Sequence, residues 1–303
     1  MTMEGILPVW KPAGWTSHDV VAKVRRLIRE KRVGHAGTLD PMVTGVLPLC
    51  VGRATRVVEY MQELPKAYEA VLELGVATDT EDLTGTVVEE AGRVSVGEDR
   101  IREVLDGFLG EISQVPPMYS AVKVDGKRLY ELAREGRTVE RQARTVRIHA
   151  IELLRFEEGG GGRPRIAFSV VCSKGTYIRT LCVDIGRALG VPAAMAELKR
   201  TRSAGFTEAD CLTLEEIERL QADGRLAGKL LPAEAGVAHL PRLQANAAGA
   251  SAALLGQKVR LSAIAGAAEA GTAAALFGPD GRFLGVFRPE PAAGLLIPEK
   301  VFS

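Results

Sequence analysis

The chain has 303 residues, 46% of them hydrophobic, and carries 39 Lys and Arg against 38 Asp and Glu for a net charge of +1. That length and apolar content can fill a large core, which excludes a disordered or fibrous chain. No apolar run approaches the roughly 18 residues that cross a bilayer, and MTMEGILPVWKP lacks the regions of a signal peptide, so the expectation is a soluble, cytoplasmic protein with no membrane partner.

In chain order, ILPVW reads as a strand and KPAGWTS as a turn. Ser17 is the expected N-cap of a helix in which Val20, Val21, Val24, Leu27 and Ile28 recur at helical spacing, with Gly34 as its expected end. The glycine-rich GHAGTLDPMVTG leads into a strand over 46–51, then a helix carrying Val57, Val58, Met61 and Leu64. Residues 68–74 alternate with period two, a half-buried strand. Past an acidic stretch, residues 100–109 predict a helix, and 114–136 combine a proline-stiffened segment, a VDGK turn and a basic helix. The strand RIAFSVVCS is followed by the helix of GTYIRTLCVDIGRAL, with Thr176 as expected N-cap. Strands and helices interleaved without a regular βαβ repeat predict a mixed α+β domain. Near Leu231 the texture changes: residues 245–275 are rich in Ala and Gly, and LFGPDGRFLGVFRP reads as a hairpin, which predicts a small β-rich C-terminal domain.

The near-neutral total hides local charge. Lys23, Arg25, Arg26, Arg29, Lys31 and Arg32 face a single acid, Glu30, and a second basic region runs from Lys123, Lys127 and Arg128 to Arg147. Such patches suit a polyanion held at one place, or two solvated helix faces. Cys50, Cys172, Cys182 and Cys211 stand alone without CxxC pairs or histidines at ligand spacing, which predicts reduced thiols and neither disulfide nor metal.

Asp40 precedes Pro41, so its backbone is driven from the α region and its side chain is presented from a loop. The plainer reading is an Asx-type turn. Arg179 falls in the first turn of its predicted helix, where the dipole disfavours a cation, and a carboxylate such as Asp40 would serve as a bidentate partner; an exposed arginine lying on Tyr177 or Ile178 is the alternative. Tyr68 by default is a core or edge tyrosine, and His35 a satisfied loop histidine.

Together, GHAGTLDPMVTGVLPLCVGRATR closely resembles the catalytic motif of the TruB-type bacterial tRNA pseudouridine(55) synthases. Four further segments match in order: KPAGWTSHDVV, KAYEAVLELGVATDTEDLTG, QVPPMYSAVKVDGKRLYELAREG and SKGTYIRTLCVDIG. The resemblance spans about residues 4–206, and beyond Leu231 it is positional. It implies the α+β pseudouridine synthase fold: a mixed, mainly antiparallel sheet flanked by helices, plus a small β-rich PUA-like C-terminal domain. Residues 1–231 would form the catalytic domain, with 113–150 an RNA-gripping insertion, and 232–303 the PUA-like RNA-binding domain. The implied reaction isomerises uridine 55 in the T loop of tRNA, without cofactor or obligate protein partner, in a monomer that binds the T arm.

Carried over by position, Asp40 is the nucleophile, Arg179 its ion-pair partner and Tyr68 the residue that stacks on the base. His35, Tyr177 and Leu198 fall where the family contacts flipped nucleotides. Lys11, with Pro12, lies in a motif that supports the active-site loop and is counted with the substrate-binding residues, as are Lys123, Lys127 and Arg128 for phosphate. A tRNA-folding protein without required catalysis, a guide-RNA-dependent synthase and a nucleoside hydrolase are the competing readings.

Overall fold

Alternating burial along the strand Lys66–Leu74 turns Lys66, Tyr68, Ala70, Leu72 and Leu74 inward, and the large sheet is built round that strand. The computed structural model describes residues 3–120, 122–124, 126–266 and 269–303. In spatial order the sheet runs Gly5–Lys11, Thr44–Val51, Ala193–Ser203, Lys66–Leu74, Arg165–Cys172, Arg144–Glu157 and Gly110–Gln114, with Val33–His35 and Phe206–Thr207 paired alongside. Its pairings are antiparallel except that of Ala193–Ser203 with Thr44–Val51, so the sheet is mixed and mainly antiparallel, as the family resemblance implies.

Helices Glu98–Asp106 and Ile178–Leu189 cover one face, burying Ile101, Leu105, Leu181 and Ile185 against Leu72, Phe168 and Val170. Helices Ser17–Ile28 and Leu214–Ala222 pack Val20, Val24 and Ile217 against Leu7, Val9, Leu47 and Leu49. The close contact of Gly186 with the sheet matters here, because a Cβ built on it would lie 2.4 Å from the Cβ of Ala193.

Both predicted helix N-caps are displaced by one residue. Thr16, not Ser17, caps the first helix: its Oγ1 accepts from Asp19 N at 3.0 Å while Thr16 N donates to the Asp19 carboxylate at 2.9 Å. That helix ends at Arg29, which adopts φ 54°, and Gly34 lies in the strand Val33–His35 instead. The later helix starts at Ile178, with Tyr177 in the cap position and no side-chain cap. Thr176 Oγ1 donates to Ser173 O, and the side chain of buried Gln114 ties down Tyr177, accepting from Tyr177 N at 3.0 Å and donating to Tyr177 O at 3.2 Å.

The C-terminal part is β-rich, as predicted: a six-stranded sheet begins at Arg242–Ala245, and Ala274–Phe277 with Phe283–Glu290 forms the expected hairpin. The alanine-rich stretch supplies a helix, Ala247–Leu254, capped by Asn246 Oδ1 accepting from Gly249 N at 2.9 Å; Ala267 and Ala268 lie outside the described residues. One apolar cluster crosses between the two parts, joining Ile6, Val46, Cys50 and Met61 to Phe277, Phe283, Val286 and Phe302. Tyr60 Oη donates to Glu299 at 2.8 Å and Lys300 pairs with Glu59 at 2.8 Å on its rim. Leu231, the expected boundary, still exchanges both backbone hydrogen bonds with Ile6. All four cysteines are free.

Gly186→Ala tests the packing of helix on sheet. Alanine in a helix interior ordinarily gains about 1 kcal/mol over glycine, yet here its methyl has no room, and urea unfolding should show a net loss of about 1–3 kcal/mol. A stabilised variant would show that the helix can stand off from Ala193.

Candidate active site

Asp40 sits on the loop between the strands Val33–His35 and Thr44–Val51, and several independent contacts hold that loop. Pro41 takes residue 40 out of helical backbone, and Val43 N donates to Asp40 O at 3.1 Å, closing a turn around it. Ser17, freed from capping, donates through Oγ to Leu39 O at 3.2 Å and accepts from Leu39 N at 2.8 Å. Gly14 N donates to Pro41 O at 2.9 Å. Lys11 Nζ donates to the carbonyls of Pro12, Trp15 and Pro41 at 2.9, 2.5 and 2.9 Å. These contacts pin both neighbours of the carboxylate and leave its side chain 43% exposed.

Arg179 is 6% exposed and points at this carboxylate, with Nη2 2.9 Å from Oδ2. The pairing expected from the position of Arg179 is therefore formed, but not in the two-bond fork. Nη1 donates to Thr80 O at 3.1 Å and Nη2 to Tyr119 O at 2.8 Å, so the guanidinium is already committed to two backbone segments. Those carbonyls fix its plane, and Asp40 meets one corner of it.

Tyr68 is 8% exposed and stands near the start of its strand; burial pushes its phenol pKa up, and the neighbouring Arg200 guanidinium opposes that shift. Leu198 pairs with Ala70 across the strands and packs at the edge of the same apolar cluster. His35 Nδ1 accepts from Gly37 N at 3.3 Å, and burial, then Arg200, hold its pKa below the ordinary value, so the imidazole is neutral. Tyr177 is half-buried at the head of the Arg179 helix, tied down by Gln114.

The remaining predicted residues lie elsewhere. Lys123, Lys127 and Arg128 are exposed on two short paired strands, Lys123–Val124 with Lys127–Arg128; Asp125, of the turn expected from VDGK, lies outside the described residues. Arg128 and Arg134 both lie against the ring of Tyr130, at 5.8 and 5.4 Å from its centroid. Lys11 presents no surface to a substrate, being fully buried, and acts on the loop from beneath.

Sequence reasoning missed Arg200. It is 1% exposed in the strand Ala193–Ser203, and its guanidinium donates to the carbonyls of Val46, Thr38 and Gly37 at 2.8, 3.3 and 3.0 Å. In LKRTR nothing marks it out from Lys199 and Arg202; the usable signal is strand parity, which puts residue 200 on the same face as Leu198. Lys66 was missed as well: it is 8% exposed and donates to the carbonyls of Gln62 and Leu64. Among the described residues the buried charged side chains are Lys11, Lys66, Arg179 and Arg200, with no carboxylate. The Asp40 loop thus lies on an electropositive floor.

Against known sequences, residues 25–178 match the model of the TruB family pseudouridylate synthase N-terminal domain, and residues 179–238 that of the tRNA pseudouridylate synthase B C-terminal domain. The chain belongs to the TruB family of pseudouridylate synthases. A curated relative, tRNA pseudouridine synthase B of Bacillus licheniformis, is 48% identical over 299 residues, covering 98% of this chain and 97% of its own. The protein of the same name from Geobacillus thermodenitrificans is 46% identical over 304 residues, covering 99% and 100%. Among solved structures, one in a crystal structure of a Cbf5-Nop10-Gar1 complex is similar at TM-score 0.79 and 31% identity over 99% of this chain and 85% of that one. Another, in an archaeal box H/ACA sRNP Nop10-Cbf5 complex, gives 0.76 and 28% over 100% and 87%. These neighbours carry the same pseudouridine synthase fold.

The lysine under the loop sets a pH limit. Burial lowers the Lys11 pKa to about 8, with Asp40 opposing the shift, and burial likewise lowers Lys66 to about 8. Below that value the Lys11 ammonium has a proton for each of its three carbonyls; above it the amine has one too few, and Pro41 O beside Asp40 is among those at stake. The single-turnover rate of this family's reaction should therefore fall above pH about 8. Stability should not fall with it on account of these lysines, because the unfolded chain keeps both protons to about 10.5 and their contribution rises between the two values. Thermal unfolding and rate over the same pH series separate the two trends.

Proposed function

We propose that this chain isomerises uridine 55 in the T loop of tRNA to pseudouridine, with Asp40 as the nucleophile. The observation that carries the reading is a solvent-facing carboxylate on a pinned loop, 2.9 Å from a buried arginine and near a buried tyrosine. The arginine holds the carboxylate in place and aims it, as attack by that group requires. A uridine within a folded T loop is out of reach, so the base is flipped out of its stack to meet Asp40. Tyr68 offers it a ring to lie on, a contact worth about 1–3 kcal/mol. His35, on the rim of the loop, fills the space left behind, and Tyr177 and Leu198 contact the displaced nucleotides.

The N1 glycosidic bond breaks, the uracil turns, and C5 joins the same ribose carbon, so substrate and product have equal mass and no cofactor is consumed. Residues 113–150 close on the T arm, where Lys123, Lys127 and Arg128 meet phosphates without reading sequence. Residues 1–231 act as the catalytic domain and 232–303 as a PUA-like RNA-binding domain. The curated relatives are named for tRNA, and on this reading the protein works in the cytoplasm as a monomer on tRNA, with no obligate protein partner.

Incubation with an unmodified tRNA transcript, followed by chemical mapping, should place pseudouridine at position 55 with RNA mass unchanged. Loss of the base would favour a hydrolase. Asp40→Asn should fold and bind tRNA about as well as the parent, since stacking and phosphate contacts do not use the Asp40 charge, while product formation drops by several orders of magnitude. Parental turnover, with deamidation excluded by mass spectrometry, would remove the nucleophile assignment.

Arg179→Lys should also be costly despite its conserved charge. One ammonium cannot reach Thr80 O, Tyr119 O and Asp40 from the fixed plane the guanidinium occupies. Its loss should appear in turnover more than in tRNA affinity, and a lysine variant at the parental rate would dismiss the pairing.

A further inference from the structure

We infer that Arg200 is a positioning residue for the reaction, a buried guanidinium that fastens the two ends of the Asp40 loop to each other and to the Tyr68 strand. The inference rests on the reading of Asp40 as nucleophile. Its three acceptors are Gly37 O and Thr38 O, just before Asp40 in the chain, and Val46 O, in the strand that leaves the loop. One rigid fork therefore closes the segment 37–46 from beneath. Arg200 pairs in the sheet with Gly45 on one side and with Tyr68 on the other. A Cβ on Gly45 would lie 2.2 Å from Arg200 O, and one on Gly37 would lie 3.4 Å from its Nη1, so the loop is seated directly on this residue.

A merely structural role explains these contacts poorly. Burying a guanidinium costs several kcal/mol unless it is matched, and a well-packed apolar side chain usually serves stability as well or better. Arg200 has no carboxylate within ion-pair distance among the described residues, and its hydrogen bonds go to backbone carbonyls instead. Its charge is left facing the site, where His35, Lys66, Lys11 and Tyr68 all feel it. A fixed cation whose three nitrogens each hold a backbone carbonyl holds geometry and contributes positive potential without itself touching the reacting atoms.

The test compares Arg200→Lys, Arg200→Met and Asp40→Asn with the parent. Each is measured for thermal unfolding, for affinity toward unmodified tRNA transcript, and for single-turnover pseudouridine formation. Lysine keeps the charge and the stem but cannot span carbonyls on both sides of the loop. Arg200→Lys should lose on the order of 100-fold in rate, as displacement of a reacting group by about 1 Å does, with tRNA affinity nearly unchanged. Arg200→Met should lose more rate. An Arg200→Lys protein at the parental rate, beside an inactive Asp40→Asn, would overturn the inference and leave the nucleophile reading intact. Loss of rate and affinity in proportion, together with a lowered unfolding midpoint, would overturn it as well, by showing general damage. An active Asp40→Asn protein would instead fail the underlying reading. Should neither Arg200 variant fold, Gly37→Ala disturbs the loop where it rests on the same guanidinium, because residue 37 sits at φ 133°, which a side chain strains; parental rate in that protein would count against the inference.

Discussion

Everything at this site depends on how four buried cations are satisfied with so little negative charge near them. Lys11, Lys66, Arg179 and Arg200 are withdrawn from water, and the carboxylate of Asp40 meets Arg179 alone by direct contact. What remains for the others is backbone carbonyl oxygen, and a carbonyl can be aimed at a cation only if the chain bends to aim it. The loop around Asp40 is bent for that purpose. Gly37 and Gly45 adopt φ values of 133° and 120°, which side-chain-bearing residues rarely reach, and Gly45 brings two backbones into contact. The glycine-rich stretch is thus the complement of the cations beneath it.

The elements were legible where a single period governed them. The strand Lys66–Leu74, the helix Ile178–Leu189 and the C-terminal hairpin follow from apolar spacing and turn residues. Helix ends were less legible because caps depend on partners distant in sequence. Ser17 looks like a cap and is one residue late, since its hydroxyl is claimed by Leu39; Thr176 looks like another, but its hydroxyl goes to Ser173 O, and Gln114, 63 positions from Tyr177, ties down the residue before the helix. For Asp40 and Arg179 the sequence carried a local signal, an acid before proline and a cation at the wrong end of a helix. For Arg200 it carried almost none, because the reason for its burial is the arrival of residues 37, 38 and 46, more than 150 positions earlier.

The site is assembled from pieces that share no local structure. A loop brings Asp40, a strand Tyr68, a helix start Arg179 and a second strand Leu198 and Arg200. The strand Ala193–Ser203 unites them, lying parallel to the strand that leaves the Asp40 loop and antiparallel to the one that bears Tyr68. The spacing of Tyr68, Leu198 and Arg200 is therefore set by sheet register, which shifts only in whole residues and not by small degrees.

The apolar cluster between the large sheet and the C-terminal strands bears on the order of synthesis. Ile6, Val46, Cys50 and Met61 leave the ribosome well before Phe277, Phe283, Val286 and Phe302, which cover them. Once Ala193–Ser203 has completed the large sheet, and until the later strands follow, the nascent chain leaves this apolar face uncovered. Such a surface is what chaperones grip and what drives premature association. The last strands therefore act as a lid on the hazard as well as a part of the fold, and a ribosome stalled before residue 277 would release a chain whose uncovered face invites aggregation.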